Sequence, residues 1–576
     1  MEHSQNDFRK HVILYALGIA LVVAAVFSPV RSFSFLNLDD NEYVTENPHV
    51  VSGLTRQNVV WAFTNFRAGH WHPLAWVSHM IDVQLFGLNP GPHHLTNLLL
   101  HTLNVVLLFL FLARATGAVR VSCCVALIFG LHPMRLESVA WVTERKDVLS
   151  IFFGLAALNL YLQFVRTRSV LWYSLCICCF ILSLLSKPTL VPFPLLLFLV
   201  DIWPLERMQL SDLSSWAKIR TPLFEKLPML VISLGSSIVT VRAQDAEGAL
   251  KSLSDYTLSA RCANALTSYL AYAGKLFLPT GMGIFYPFQT YAPGVGAGAF
   301  LGLVAVTYIC VTVRTRHPYL LVGWLWFLLA ALPMIGFVQF GGQAFGDRWT
   351  YFPHVGLLFG VTWWVCDKLQ NRPSALKLAA GMSVALCAVV TTTNLPYWQS
   401  SKAILTHTLE VAPDNFMALN NLGVTFDEAG DLASAKPLFE RTVQLRPAYA
   451  EGLNNLGTVY AREGKTAAAK ELFERAVQAE SGLLAARYHL GLVKHDSGDT
   501  AGAVLDWLRV LSSDPTFQRA RESLMFAVNR LQAQGCPPNS LSSSEMHEMA
   551  NRINALPPSE MRSGLIQFSG CYGING

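Results

Sequence analysis

The chain has 576 residues, 52% of them hydrophobic and only 14% charged, with a formal net charge of +5. A soluble protein of this length has no use for so much apolar surface, and its scattered lysines and arginines leave no nucleic-acid footprint. The apolar residues fall in runs of about 16–23, the length that crosses a bilayer core, so the chain reads as a polytopic membrane protein carrying a soluble part.

The first run, 11–30, follows Arg9 and Lys10. It has no small-residue cleavage site and reads as a retained span, not a leader. The adjacent acids Asp39 and Asp40 follow at once. Ionised groups beside hydrocarbon cost several kcal/mol unless something pairs or uses them, which makes the pair a candidate site. The plainer alternative is a solvated cap or loop. The rest of the first outer loop, to residue 94, contains HWHPLAWVSHMIDVQLFGL at 70–88. Its Leu74, Val77, Ile81 and Leu85 recur at helical spacing, as in a helix lying on a membrane surface.

Ten further spans are expected, at 95–113, 121–139, 148–165, 169–186, 190–204, 227–241, 297–313, 319–338, 353–367 and 377–395. The segment 263–286 is expected to be re-entrant or interfacial. Basic residues fall in alternate loops (Arg9-Lys10, Arg114/Arg120, Arg166/Arg168, Arg207–Lys226, Arg314/Arg316, Lys368–Lys377), so those loops should be cytoplasmic. Asp39-Asp40, the stretch 131–147, Lys187 and the stretch 341–353 then face outward, and so does the C-terminus. Arg135, Arg145, Lys146 and Arg348 break the bias, as residues held by acids or by a ligand would.

From about 396 the composition changes. Gly423, Gly457 and Gly491 are 34 apart; Gly430, Gly464 and Gly498, Ala435, Ala469 and Ala503, and Phe439, Phe473 and Trp507 keep the same period. That is a tetratricopeptide array of at least three helix–turn–helix repeats. The glycines and alanines allow close helix approach and the aromatic fills the space between. Asn420, Asn421, Asn454 and Asn455 carry amides able to bond an acceptor backbone, or only water. The expected domains are a membrane domain at 1–395, repeats at 396–535 and a loosely ordered tail at 536–576. Most cysteines sit in apolar segments; Cys536 and Cys571 are the pair able to form a disulfide outside the cytoplasm.

Asp39 or Asp40 has the chemistry of a general base toward an acceptor hydroxyl. Arg135, Arg145, Lys146, Lys187 and Arg348 are candidates for binding a phosphate, the arginines in bidentate fashion. Each has a neighbouring acid or helix end as a plainer alternative; Glu137 is the obvious partner of Arg135. His94, Asn97 and His101 share one helix face, a weak metal signal better read as polar packing. His72, His94 and His132, with Glu137, are expected to line the outer cavity. No GxSxG, Walker or HExxH motif is present.

The order of motifs is LDD at 38–40, HPLAW at 72–76, GLNPGPHHLTNLLLH at 87–101, LHPMRLESVAWVTERKDVLS at 131–150, SKPTLV at 186–191 and DRWTYFPHVG at 347–356, then the repeats. In this order it resembles the transmembrane and tetratricopeptide-repeat-containing O-mannosyltransferases over roughly 30–530. The resemblance implies an all-α chain: a GT-C membrane glycosyltransferase bundle of about eleven spans, then an α-solenoid. It implies an outer-loop acidic base and a polyprenyl-phosphate sugar donor, mannose in the family. Arg145, Lys187 and Arg348 would hold the donor phosphate, with Tyr351 shaping the pocket. It implies an inverting transfer to serine or threonine hydroxyls of a protein acceptor bound by the repeats, with no cofactor or metal. HPLAW and ERKD stand where animal members carry RPL and GRAD, which points to a bacterial relative in an inner membrane. Two other readings remain open: transfer to a glycolipid or surface glycan, and a non-catalytic scaffold presenting repeats.

Overall fold

The computed structural model describes residues 2–209, 215–246, 256–339, 341–534, 541–556 and 560–570. Cys536 and Cys571 lie outside them. The described residues are all-α apart from one two-stranded antiparallel pairing, Tyr286–Pro287 with Gln343–Phe345. It forms two compact units, Met1–Pro413 and Asp414–Gly576.

In the first unit six helices are long and apolar enough to cross a membrane: Asp7–Ser32, Pro90–Thr116, Val142–Thr167, Trp216–Asp245, Gly294–Thr312 and Pro373–Gln399. A seventh candidate is the pair Val119–Leu131 and Pro133–Ala140, bent by 59°. The bend sits at His132, which is extended because Pro133 disfavours helical backbone in the residue before it. The eleven expected spans therefore reduce to six or seven among the described residues. Three of the others are shorter apolar helices, Val170–Ser186, Phe193–Ile202 and Pro318–Met334. Proline punctuates their ends, and ten helical residues rise only about 15 Å, half of a hydrocarbon core of about 30 Å. The segment expected to re-enter is one unbroken helix, Leu258–Phe277, whose buried face carries Asn264, Ser268, Tyr269 and Tyr272.

About half of the hydrophobic window is buried in the Pro90–Thr116 and Val142–Thr167 helices, against 6–22% in the other four candidates, so these two form the centre of the bundle. Behind them, Gly323 and Gly356 bring the helices Pro318–Ala331 and Pro353–Leu369 into backbone contact: a Cβ on either would collide with the other's carbonyl oxygen.

The Ser401–Val411 helix belongs to the first unit, so the division falls later than the composition change at 396. Its Ser401 hydroxyl accepts the Asn37 N–H at 2.7 Å, and Thr408 accepts the Ile284 N–H at 3.1 Å.

The second unit opens with the expected repeat pairs: Phe416–Glu428 with Leu432–Leu445, Ala450–Arg462 with Thr466–Ala479, and Leu484–Asp496 with Thr500–Ser513. The small-against-large reading holds. A Cβ on Gly423 would lie 2.6 Å from Phe439, one on Gly457 2.7 Å from Phe473, and one on Gly491 would strike Trp507. Gly430, Gly464 and Gly498 take φ of 78°, 75° and 91° at the turns, the left-handed region that glycine enters freely. Within the expected tail, the described residues form two helices, Ser543–Ala555 and Glu560–Gly570, instead of a loosely ordered segment. Met549, Ile553, Leu565 and Phe568 are buried against the last repeat, and Ser542 and Glu545 make a capping box.

Candidate functional site

The two acids sit where the chain leaves extended backbone and enters a short helical turn, Asn41–Thr45. Successive residues on a helix point about 100° apart, so neighbouring acids need not share an environment. Asp40 is fully buried. One carboxylate oxygen accepts the Leu36 N–H at 2.7 Å; the other accepts both the N–H of Thr143, at 2.8 Å, and its hydroxyl. Burial nevertheless pushes Asp40 up to about 6, against those three donors. Asp40 is an anchor that ties the first loop to the turn before the Arg145–Thr167 helix.

Asp39 is only half-buried, and its carboxylate takes no hydrogen bond among the described residues. Burial raises it above the ordinary carboxylate range; Glu144 adds to this, while Lys146, Arg348 and Lys187 oppose it. Of the pair, Asp39 is the carboxylate left available.

The cations facing it are gathered by Glu144, which lies within 3.5 Å of Lys146, 3.3 Å of Lys187 and 3.3 Å of Arg348. Lys187 also meets Asp147 at 2.6 Å. It reaches both acids because Pro188 forces it into extended backbone at the end of the Val170–Ser186 helix. Arg348 is bound by Glu137 twice, through its guanidinium and through its N–H at 2.8 Å. Burial lowers Arg348, but Glu137, Glu144 and Asp147 together raise it above its ordinary value. The Lys146 ammonium lies 4.4 Å from the centre of the Tyr43 ring, a cation–π contact.

Other expected members fall elsewhere. Arg145 turns away from Lys146 and is buried against Asp82 (2.7 Å), Ser78 (2.9 Å), the His93 carbonyl (2.8 Å) and Asn97. Every arm of its guanidinium is committed, which removes it from the phosphate-binding set. Arg135 is not paired with Glu137. It is sandwiched between Phe129 and Tyr351, 5.2 Å from each ring centre, and meets His354 at 2.8 Å. The Tyr351 hydroxyl meets His101 at 2.6 Å and Asn104 at 3.2 Å inside the bundle, so it does not shape the pocket around Asp39. His94 is not a cavity wall: it donates to the Ser34 carbonyl at 3.2 Å. His132 likewise caps the bend, bonded to the Leu276 carbonyl at 2.9 Å and the Met134 N–H at 3.3 Å. His72 stacks on Tyr43 and Trp76, behind the ring that carries Lys146.

Glu144, Asp147, Tyr43 and Thr143 escaped the sequence reading as site residues. Glu144 and Asp147 were visible in ERKD, but only as partners that would neutralise Arg145 and Lys146.

In the repeats the asparagines join neighbouring units. Asn455 donates to Asn420 at 2.9 Å, His489 meets Asn454 at 2.8 Å, and Tyr488 meets Ser523 at 3.4 Å, each rung spanning 35 residues. Asn421 bonds its own helix at the Met417 carbonyl. Much of the amide capacity expected to meet an acceptor is spent between repeats.

A membrane bundle with an acid–base cluster, followed by a helical-repeat unit, is the class of protein these features define. The tetratricopeptide-repeat family model matches residues 421–483 and 454–516. The chain is similar to protein O-mannosyl-transferases: 33% identical over 98 residues to TMTC2 of Mus musculus (17% of this chain, 12% of that protein). To tmtc2 of Xenopus laevis it is 35% identical over 113 residues (19% and 13%). To Tmtc1 of Drosophila melanogaster it is 31% identical over 137 residues (23% and 16%). The matches thus span about an eighth to a sixth of these relatives' lengths. Among solved structures, ArnT from Cupriavidus metallidurans bound to undecaprenyl phosphate aligns with a TM-score of 0.32 and 16% identity, covering 80% of this chain and 79% of that one. No residue role is carried over from it.

Proposed function

We propose that the protein is a GT-C-type membrane glycosyltransferase that moves a sugar, mannose by kinship, from a polyprenyl-phosphate donor to serine or threonine hydroxyls of a protein acceptor. One observation carries the reading: Asp39 is an available carboxylate beside three cations, Lys146, Lys187 and Arg348, gathered by one acid. Asp39 takes the proton of the acceptor hydroxyl as its oxygen attacks the anomeric carbon from the face opposite the phosphate. The bond from that carbon to the phosphate oxygen breaks, and the cations stabilise the growing charge on the leaving group. Asp40 holds the loop in place.

Loop charge supports a cytoplasmic N-terminus and outward-facing Asp39 and repeats, with the shorter apolar helices completing the crossings. The repeats recruit the acceptor. The test compares glycoproteomes of cells carrying the wild type, Asp39→Asn or no protein. Glycosites present only with the wild type support the reading, and an unchanged set of protein glycosites sinks it.

A further inference from the structure

A cleft of about 300 Å³, part of it open to solvent, lies at the C-terminal end of the Pro373–Gln399 helix. Leu136, Met282, Ile404 and the Trp398 ring give it apolar walls, and Glu137 and Asp347 are its acids. Tyr397 and His407 complete the lining as a parallel stack, ring centres 3.7 Å apart, with Tyr397 36% exposed.

Two features tie this cleft to Asp39. Glu137 serves both sites: it lines the cleft and grips Arg348, which reaches Glu144 at 3.3 Å in the cluster that faces Asp39. The loop that presents Asp39 is also bonded to the segment that builds the cleft. The Ser34 N–H donates to the Gln399 carbonyl at 3.1 Å, and the Asn37 N–H to the Ser401 hydroxyl at 2.7 Å. Asp39 is two residues beyond Asn37, at most about 7 Å of chain, and Ile404 is one helical turn, about 5 Å, beyond Ser401. The cleft therefore begins within roughly 20 Å of the Asp39 backbone, the span of about six extended residues.

The lining selects its occupant. Glu137 has one oxygen on the Arg348 guanidinium and the other on the Arg348 N–H. Asp347 has one oxygen on Lys275 at 2.7 Å and the other on the Tyr286 hydroxyl at 2.8 Å. The Asn394 amide turns back to the Val390 carbonyl of its own helix at 2.8 Å. With both acids already paired, a charged group entering the cleft finds no counter-ion and loses its water, which is unfavourable. What remains on offer is apolar surface and aromatic rings. Ionisable groups at membrane depth face aqueous cavities, not lipid tails, so the occupant comes from the water side.

We propose that this cleft is an acceptor subsite: it takes an apolar or aromatic side chain of the acceptor protein, within about six residues of the serine or threonine that meets Asp39. The inference rests on the function proposed above and deepens it by naming what the first unit reads around the target hydroxyl. A side chain seated there holds that hydroxyl near Asp39 and leaves Lys146, Lys187 and Arg348 to the donor phosphate.

The test uses the full chain in its host membrane. Glycosites are mapped in cells carrying the wild type, Asp39→Asn or Met282→Trp, which fills the cleft from a half-buried position. The Asp39-dependent sites should carry an apolar or aromatic residue at a fixed offset of up to about six positions from the modified hydroxyl, and should lose occupancy in Met282→Trp. A synthetic peptide copied from one such site gives the second readout, with membranes of the same cells supplying the donor. Replacing its apolar residue by Asp should raise KM about tenfold and leave kcat within about twofold, as loss of uniform binding does. Met282→Trp should erase the difference between the two peptides; Ile404→Trp is the second variant should the first fail to fold. Asp39-dependent sites without such a residue overturn the inference and leave the proposed function intact. So does a preference set by a sugar already on the acceptor, or a loss in the filled variants by the same factor for both peptides, as a blocked lipid path would give. Absence of any Asp39-dependent glycosite overturns the function itself and the inference with it.

Discussion

Thr143 gives both its N–H, at 2.8 Å, and its hydroxyl to one oxygen of Asp40, a residue 103 positions earlier in the chain. That clamp separates two acids that sequence alone leaves equivalent, because it spends Asp40 on structure and leaves Asp39 facing Lys146.

Asp39→Asn should therefore abolish transfer, with a loss of about 10²–10⁴ in rate, and leave thermal stability close to wild type. Asp40→Asn should do the opposite first: its remaining oxygen keeps one side of the donor set, but its NH2 meets the other and leaves at least one buried donor unsatisfied, at about 1–3 kcal/mol. Measuring melting temperature and single-turnover transfer on both variants decides between them.

Two pH effects follow, with opposite directions. A base works ionised, and Asp39 is raised above its ordinary 3.8, so kcat/KM should climb with pH through an ionisation above the normal carboxylate range. Stability should run the other way for Asp40. Its folded value, about 6, exceeds the 3.8 expected when unfolded, so the folded chain binds more protons between those limits. The contribution is fully present below pH 3.8 and is lost as pH rises through 6, on the order of 3 kcal/mol. Chemical denaturation from pH 4 to 7, in wild type and Asp40→Asn, checks this: the variant should lose that slope.

Arg145 and Arg348 should fail differently. Arg145→Met strands buried Asp82 and should cost about 3–5 kcal/mol of stability. Arg348→Lys keeps a charge near Glu137 and Glu144 but loses the forked geometry. It should fold and show weaker donor binding in a titration with lipid phosphate.

In the repeats, Gly457→Ala should destabilise by about 1–3 kcal/mol, since its Cβ would sit 2.7 Å from the Phe473 ring. Gly464 has open space around it but a φ of 75°, so Gly464→Ala should cost about 1 kcal/mol through backbone strain alone. Urea unfolding of the full chain measures both.

The repeat array was legible because four positions recur at one period, and the Lys187 reach was implicit in Pro188. The division between Asp39 and Asp40 was not, since it depends on Thr143, far along the chain. Nor was the parting of Arg145 from Lys146: it follows from the helix starting at Arg145, which sends consecutive side chains to different faces. The apolar helices were found in place, but hydropathy registers an apolar run whether or not proline cuts it short, so several of the expected spans are helices below full spanning length. The C-terminal helices were announced by Ser542 and Glu545, a signal that a polar, proline-containing stretch concealed.

The rungs between repeats join residues 35 apart in an array whose period is 34, so each rung meets the next unit one position further along its helix. Any inserted unit with polar side chains at those two adjacent positions would find hydrogen-bonding partners above and below. The array can thus be lengthened by duplication without redesigning its seams, so its length is a variable that selection can adjust apart from the first unit.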